Sequence, residues 1–240
     1  DKRARRVMFP DPGHVIVEAD SSQVEGRIVF IRTKDPELIK LGRQRIGFDQ
    51  HAFTASMVFK KPVEQVGKGT QERQVAKSIS HAAQRAMQGK TMADWMLQNN
   101  MTHTDLTPYD ADECDGLLDT YHKAFPGIRI WQQGMRRTLR ATKRLVNRWG
   151  RIWDVRYEEM NDNLYRRGYN FLPQSECADL TNQCFAALYK WFKAEHMCSK
   201  IMLQEHDSLV LSCLPTEAYD VAVFLRDHLE VELDYDGVNL

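Results

Sequence analysis

Strand-forming runs stand at the two ends of this chain, and almost everything between them has helical spacing. At one end, Val15-Ile16-Val17-Glu18-Ala19 is rich in β-branched residues, follows the turn Asp11-Pro12-Gly13 and stops at Asp20. At the other, Ile201-Met202-Leu203-Gln204 and Leu209-Val210-Leu211-Ser212 flank a polar Glu205-His206-Asp207-Ser208, the pattern of a β-hairpin. Between them, Gln23 to Arg32 has helical character, and Phe48 to Phe59 carries apolar residues at helical spacing until Lys60-Lys61-Pro62 stops it. After Gly67-Lys68-Gly69, Thr70 to Leu97 reads as one long helix interrupted only by Gly89, and Glu113 to Leu145 as another with a kink at Phe125-Pro126-Gly127. Gly150 to Asp162 is turn- and strand-like. Tyr165 to Lys193 is helical around a break at Pro173, Glu217 to Leu229 is a last amphipathic helix, and Val231-Glu232-Leu233 opens another strand. The order predicts an α+β fold with a helical middle.

Composition narrows the class but not the function. At 42% hydrophobic and 28% charged residues over 240 positions, disorder is excluded and one or two packed domains are expected. The five cysteines form no C-x-x-C pair, so reduced thiols in a cytosol-like compartment are expected rather than a disulfide framework. No stretch approaches the roughly 18 apolar residues of a membrane span, and the basic start, Asp1 to Arg6, is followed by no apolar signal region. Both ends read as internal to a longer chain. Lys+Arg and Asp+Glu are each 33, a balance that by itself points to a small-molecule enzyme. The balance is uneven, however. From Gly127 to Arg156, nine basic residues (Arg129, Arg136, Arg137, Arg140, Lys143, Arg144, Arg148, Arg151, Arg156) face one acid, Asp154, with Trp131, Trp149 and Trp153 interleaved. From Glu217 to Asp236, seven acids face Arg226. The basic stretch suits phosphates and stacked bases, or else a solvated helix face above core tryptophans.

Two constellations carry chemistry. Arg73, Lys77, His81 and Arg85 recur every fourth residue, so they share one helix face. Such a row repels itself by a few tenths of a kcal/mol per pair, a penalty that a polyphosphate lying along it would remove; the alternative is an exposed basic face with no ligand. Asp20 and Asp207 end one strand and tip a hairpin. In one sheet they could hold one or two Mg²⁺ for phosphoryl transfer; otherwise both are ordinary turn residues.

These pieces in this order resemble the family A DNA polymerases, the group of bacterial DNA polymerase I and its phage relatives. Val17 to Arg27 (VEADSSQVEGR) is similar to the first palm motif, D-Y-S-Q-I-E-L-R. Arg73-Gln74-Val75-Ala76-Lys77 is similar to the start of the fingers motif, R-x-x-x-K-x-x-x-F-G-x-x-Y-G, and Gln204 to Leu211 (QEHDSLVL) to the second palm motif, H-D-E in a hairpin. Asp49 to Ser56, Phe125 to Trp131 and Asn170 to Leu180 match linking segments in the same order, so the likeness covers essentially the whole chain.

The resemblance implies a polymerase palm, an antiparallel sheet with helices, in residues 1–27 and 165–240. A mostly helical fingers subdomain would be inserted at 28–164. It implies that Asp20 and Asp207 hold two Mg²⁺ ions for nucleotidyl transfer, and that His51, Arg73, Lys77, His81 and Gln23 receive the incoming dNTP. Glu25 would be the steric gate against a ribose 2′-hydroxyl, and Arg85, Arg166, Asn170, Gln174 and His206 would contact DNA. The implied partners are primer–template DNA, dNTPs and the thumb, and in many relatives an exonuclease region, of a longer chain; the implied setting is the cytoplasm of a bacterial or virus-infected cell. Five positions depart from the pattern: Ser21 for Tyr, His81 for an aromatic Phe or Tyr, Arg85-Ala86 for Tyr-Gly, and Ser208 for Glu. They predict a wetter, more polar nucleotide pocket in which His81, when protonated, can hydrogen-bond the triphosphate. A single-subunit RNA polymerase and a catalytically impaired nucleic-acid scaffold are the competing readings; with no Gly-rich phosphate loop, a small-molecule phosphotransferase is disfavoured.

Overall fold

The computed structural model describes residues 8–43, 49–103, 105–232, 234–235 and 238–239. Its elements run β1 (Val15–Asp20), α1 (Val24–Thr33), α2 (Pro36–Gly42), α3 (Gln50–Phe59), α4 (Gln71–Gln84), α5 (Gly89–Gln98), α6 (Ala111–Ala124), α7 (Gly127–Thr142), β2 (Arg144–Val146) and β3 (Ile152–Asp154). They continue through α8 (Asp162–Ala194), β4 (Lys200–Glu205), β5 (Ser208–Cys213), α9 (Ala218–Leu229), β6 (Asp234–Tyr235) and β7 (Val238–Asn239). This is an α+β fold in which every strand pairing between described strands is antiparallel where its register is known. The chain divides into two compact units. Phe48 and Leu233, the predicted start of a helix and end of a strand, and the basic Asp1 to Arg6 lie outside the described residues.

The first unit comprises residues 1–28, 147–151 and 173–234. Its three-stranded sheet has the order β1-β5-β4, with β5 in the middle and buried along its whole length. Leu209, Leu211 and Cys213 on β5 pack with Cys184, Leu188 and Phe192 of α8 and with Val221 and Leu225 of α9, so one sheet face is covered by helices. Glu217, just before α9, accepts from the Ser199 N–H at 2.9 Å and the Ser199 hydroxyl at 2.5 Å, which ties the start of that helix to the approach to β4.

The second unit comprises residues 29–146, 152–172 and 235–240. One core joins Val75, Ile79 and Ala83 of α4 to Met92 and Met96 of α5 and to Cys114, Leu118 and Tyr121 of α6. Another joins Trp131, Met135 and Leu139 of α7 to Leu164, Tyr165 and Tyr169 of α8.

Val231-Glu232, expected to open a strand, carries none, and Arg144-Leu145, expected to end a helix, lies in β2. Two further elements differ for reasons that packing explains. The expected long helix from Thr70 to Leu97 is two helices, broken at Arg85 to Gln88, with Ala86 in the left-handed region at φ 51°. The buried Gln132 side chain donates to the carbonyls of Ala83 and Gln84 at 2.9 and 3.0 Å, so a residue from α7 satisfies the last turn of α4. Conversely, α8 runs through Pro173 without ending. A proline inside a helix costs about 3 kcal/mol, but Tyr169 and Leu172 before it and Cys177 and Leu180 after it are all buried, and their packing offsets that cost.

Candidate active site

The pairing of β1 with β5 sets Asp20 opposite Ser208. The Ser21 N–H then donates to the Asp207 carbonyl at 3.2 Å, so the two aspartates occupy the same end of the sheet although they come from opposite ends of the chain. The β4–β5 hairpin turns through His206 and Asp207, with His206 at φ 52°, the left-handed conformation that a two-residue hairpin turn demands. Ser208 is buried and its hydroxyl donates to the Glu205 carbonyl at 3.0 Å, so it serves the turn's own backbone. Cys177 on α8 registers the surrounding charge. Burial, then Asp207, Glu25 and Asp20 in that order, push its thiol up to about 12. Three carboxylates therefore act on one buried thiol, an electronegative setting suited to a hard cation. Among the described residues, no group of three or more His, Cys, Asp or Glu forms a metal cage.

In the second unit, Arg73, Lys77 and His81 lie along α4 and Arg85 is its C-cap. Thr70 caps the other end, accepting from the Arg73 N–H at 3.3 Å. His51, in the first turn of α3, places its ring 5.6 Å from that of His81, centroid to centroid. Burial drives His51 down to about 3, helped by His81, Arg73 and Lys77 and opposed by Asp49. Burial, Arg85 and Lys77 drive His81 down to about 4. Both imidazoles are thus neutral at neutral pH. His81, expected to bond a triphosphate when protonated, is held from protonation first by burial and then by Arg85 and Lys77. Among the described residues the buried His51 Nδ1 has no hydrogen-bond partner, and the Arg73 Nε donates to Asp49 at 2.7 Å.

A sequence model described as DNA polymerase family A matches residues 1–238. The chain belongs to DNA polymerase family A. It is 26% identical over 234 residues to the thermostable DNA polymerase I of Thermus aquaticus, covering 95% of this chain and 26% of that protein. It is 25% identical over 223 residues to the DNA polymerase of Bacillus phage SP01, covering 91% of this chain and 23% of the relative. The chain thus spans about a quarter of the length of these curated relatives. Among solved structures it resembles the POL domain of Pol1 from M. smegmatis in complex with DNA primer-template and dNTP, with a TM-score of 0.79 at 22% identity. That match covers 95% of this chain and 39% of the other, and shows the fold.

The remaining residues singled out by the family A motifs are distributed over both units. Gln23 and Glu25 follow β1, Gln23 at φ 55° and Glu25 in the first turn of α1. Arg166 and Asn170 lie one helical turn apart on α8 before Pro173, and Gln174 lies just after it, exposed. His206 is exposed at the hairpin tip.

The basic residues of the Gly127–Arg156 stretch stay at the surface, and most of them meet an acceptor there. Arg136 donates to Tyr169 and Asp162, Arg140 to Tyr165, and Arg144 and Arg156 both to Asp154. Arg151 pairs with Asp179. Trp131 belongs to the second core, Trp153 is partly buried against it, and Trp149 is partly exposed outside it. The alternative reading, a solvated face, describes the exposed arginines, and exposed arginines also suit phosphate. Asp49 is the residue that motif reading passed over; its signal was an N-cap aspartate two positions before a candidate histidine.

No described helix is long and apolar enough to cross a membrane. All five cysteines are free thiols, four of them buried.

Proposed function

We propose that this chain is the palm and fingers portion of a template-directed DNA polymerase, which adds dNTPs to a primer 3′-hydroxyl by two-metal nucleotidyl transfer. The first unit serves as palm and the second as fingers. The observation that carries the reading is the β1–β5 register, which sets Asp20 beside the Asp207 turn at one end of the sheet. Two hard carboxylates there, reinforced by the field of Glu25, fit Mg²⁺, whose remaining ligands are water and phosphate oxygens. When bound, such ions activate the attacking hydroxyl and stabilise the leaving pyrophosphate.

The chain's own residues do the rest. Arg73 offers a guanidinium fork and Lys77 a point charge to the triphosphate, and neutral His51 and His81 act as hydrogen-bonding groups, His51 with an unpartnered ring nitrogen. Glu25 takes the space of a ribose 2′-hydroxyl and rejects ribonucleotides by clash and by an unpaired polar group. Arg166, Asn170, Gln174 and His206 contact primer or template, where minor-groove acceptors common to every base pair report its shape. Gln23 and Arg85 complete the dNTP and DNA contacts. The partners are primer–template DNA, dNTPs and the thumb, and in many relatives an exonuclease region, of a longer chain, in the cytoplasm of a bacterial or virus-infected cell or another reducing, DNA-containing compartment.

The test is Mg²⁺-dependent primer extension by the full-length parent protein beside its Asp20→Ala and Asp207→Ala variants, with dNTPs and NTPs compared. Extension with dNTPs that both substitutions abolish supports the reading. Equal activity in all three proteins overturns the metal assignment, preference for NTPs favours an RNA polymerase-like enzyme, and DNA binding without extension favours a scaffold.

A further inference from the structure

The two oxygens of the Asp49 carboxylate hold two different helices. Oδ1 accepts from the backbone N–H groups of His51 and Ala52, each at 3.1 Å, and so caps α3. Oδ2 accepts from Arg73 Nε on α4 at 2.7 Å. Burial pushes this carboxyl up, but hydrogen bonds from Arg73, Ala52 and His51 outweigh it and hold Asp49 below the usual carboxylate range, charged throughout neutral pH.

Asp35 shows the same device used for structure alone. One of its oxygens caps α2 through the N–H groups of Glu37 and Leu38, at 3.1 and 3.3 Å, and the other accepts from the Gly127 N–H at the start of α7, at 3.1 Å. There both ends are backbone, and the carboxylate is a joint between helices. At Asp49 the second end is a guanidinium from the cationic face. An acceptor on Nε fixes the plane of an arginine fork while its Nη donors point elsewhere, and among the described residues the Arg73 Nη atoms have no protein acceptor.

We propose that Asp49 is a positioning residue for polyphosphate binding: it sets the plane of Arg73 and, through the α3 cap, the place of His51, so that both address one anion. This rests on the reading of the α4 face as a dNTP triphosphate site. The physical gain is preorganisation. An arginine already held in orientation loses less side-chain freedom when phosphate arrives, and one fixed negative charge among Arg73, Lys77 and Arg85 lowers their mutual repulsion. The opposite role, in which Asp49 competes with phosphate for Arg73, predicts the opposite sign in KM.

The experiment uses the full-length parent protein and Asp49→Asn, Arg73→Ala and the double variant, with KM for dNTP, kcat and melting temperature measured for each. Asparagine still caps a helix, so Asp49→Asn keeps the α3 cap and lowers the melting temperature no more than Arg73→Ala, which loses the same bond. The KM of Asp49→Asn rises about tenfold, the scale of one hydrogen bond to a charged group, and its kcat stays within about twofold of the parent. The double variant matches Arg73→Ala, because with the guanidinium gone there is nothing left to orient. An unchanged or lowered KM in Asp49→Asn, effects that multiply in the double variant, or a KM change accompanied by a melting temperature below that of Arg73→Ala overturns the proposal. If the parent extends no primer, the polymerase reading fails on its own. Binding of inorganic tripolyphosphate to the same variants then decides the role of Asp49: weaker binding in Asp49→Asn supports it, equal or tighter binding overturns it.

Discussion

In the first unit the candidate carboxylates are presented by backbone: Asp20 ends a strand and Asp207 forms half of a two-residue turn. In the second unit the candidate cations are presented by a helix face, where spacing of four aligns Arg73, Lys77 and His81 on α4. The two modes differ in what holds them. A helix face needs only the helix to form, and one turn of α4 sets its geometry. The aspartates need the correct register between β1 and β5, since a one-residue slip would turn every side chain of β1 to the other sheet face. Charge is managed differently as well. The carboxylates act together on a buried thiol, whereas the cations are diluted by two imidazoles that burial keeps neutral and by Asp49.

Substitutions break this comparison at different depths. The largest effect is expected at the sheet end. Asp20→Ala or Asp207→Ala lowers kcat for primer extension by about a thousandfold or more, the scale of losing several kcal/mol of metal-assisted stabilisation, while the fold, followed by circular dichroism, is unchanged. Next comes the helix face. Lys77→Ala raises KM for dNTP roughly tenfold to a hundredfold, from the 1.5–3 kcal/mol of a charged hydrogen bond, and measurement at rising salt weakens the parent more than the variant.

A third test leaves the site alone and strains the second unit. A Cβ at Gly127 would lie 2.6 Å from the Asp35 Cβ, so Gly127→Ala costs about 1–3 kcal/mol by overpacking, read as a lower denaturant midpoint. If kcat falls instead with stability intact, the Asp35 joint has a role in the site after all.

The smallest effect concerns pH. His51 and His81 have folded values of about 3 and 4, below the ordinary 6.5. The unfolded chain therefore binds more protons below that value, and stability that is complete above it drains away as pH falls from 6.5 toward 4. His81→Phe removes its share, so the melting temperature falls less between pH 7 and 5 in the variant; parallel curves would show that the imidazole is not held neutral by its surroundings.

How much of this was legible beforehand depends on the distance over which each signal acts. β1, α1, α9 and the β4–β5 hairpin were readable because a strand of β-branched residues or an amphipathic helix is written in neighbouring residues. The break between α4 and α5 was not, because the side chain that satisfies the end of α4 is Gln132, in a different helix. Continuity through Pro173 was likewise hidden, since packing on both sides of it outweighs a local rule. The neutral state of His81 needed the burial of its ring and the nearness of Lys77 and Arg85 in space.

By itself, then, the amino-acid sequence determined the α+β class, the cationic row on α4 and the family motifs with the aspartates they contain. All of these depend on residue type and short spacing. The tertiary structure alone decided that Asp20 lies beside the Asp207 turn, that most arginines of the tryptophan-bearing stretch meet acceptors at the surface, and that Asp49 joins the α3 cap to Arg73. Each of these is a contact between residues far apart in the chain, made only once register and packing have brought their elements together.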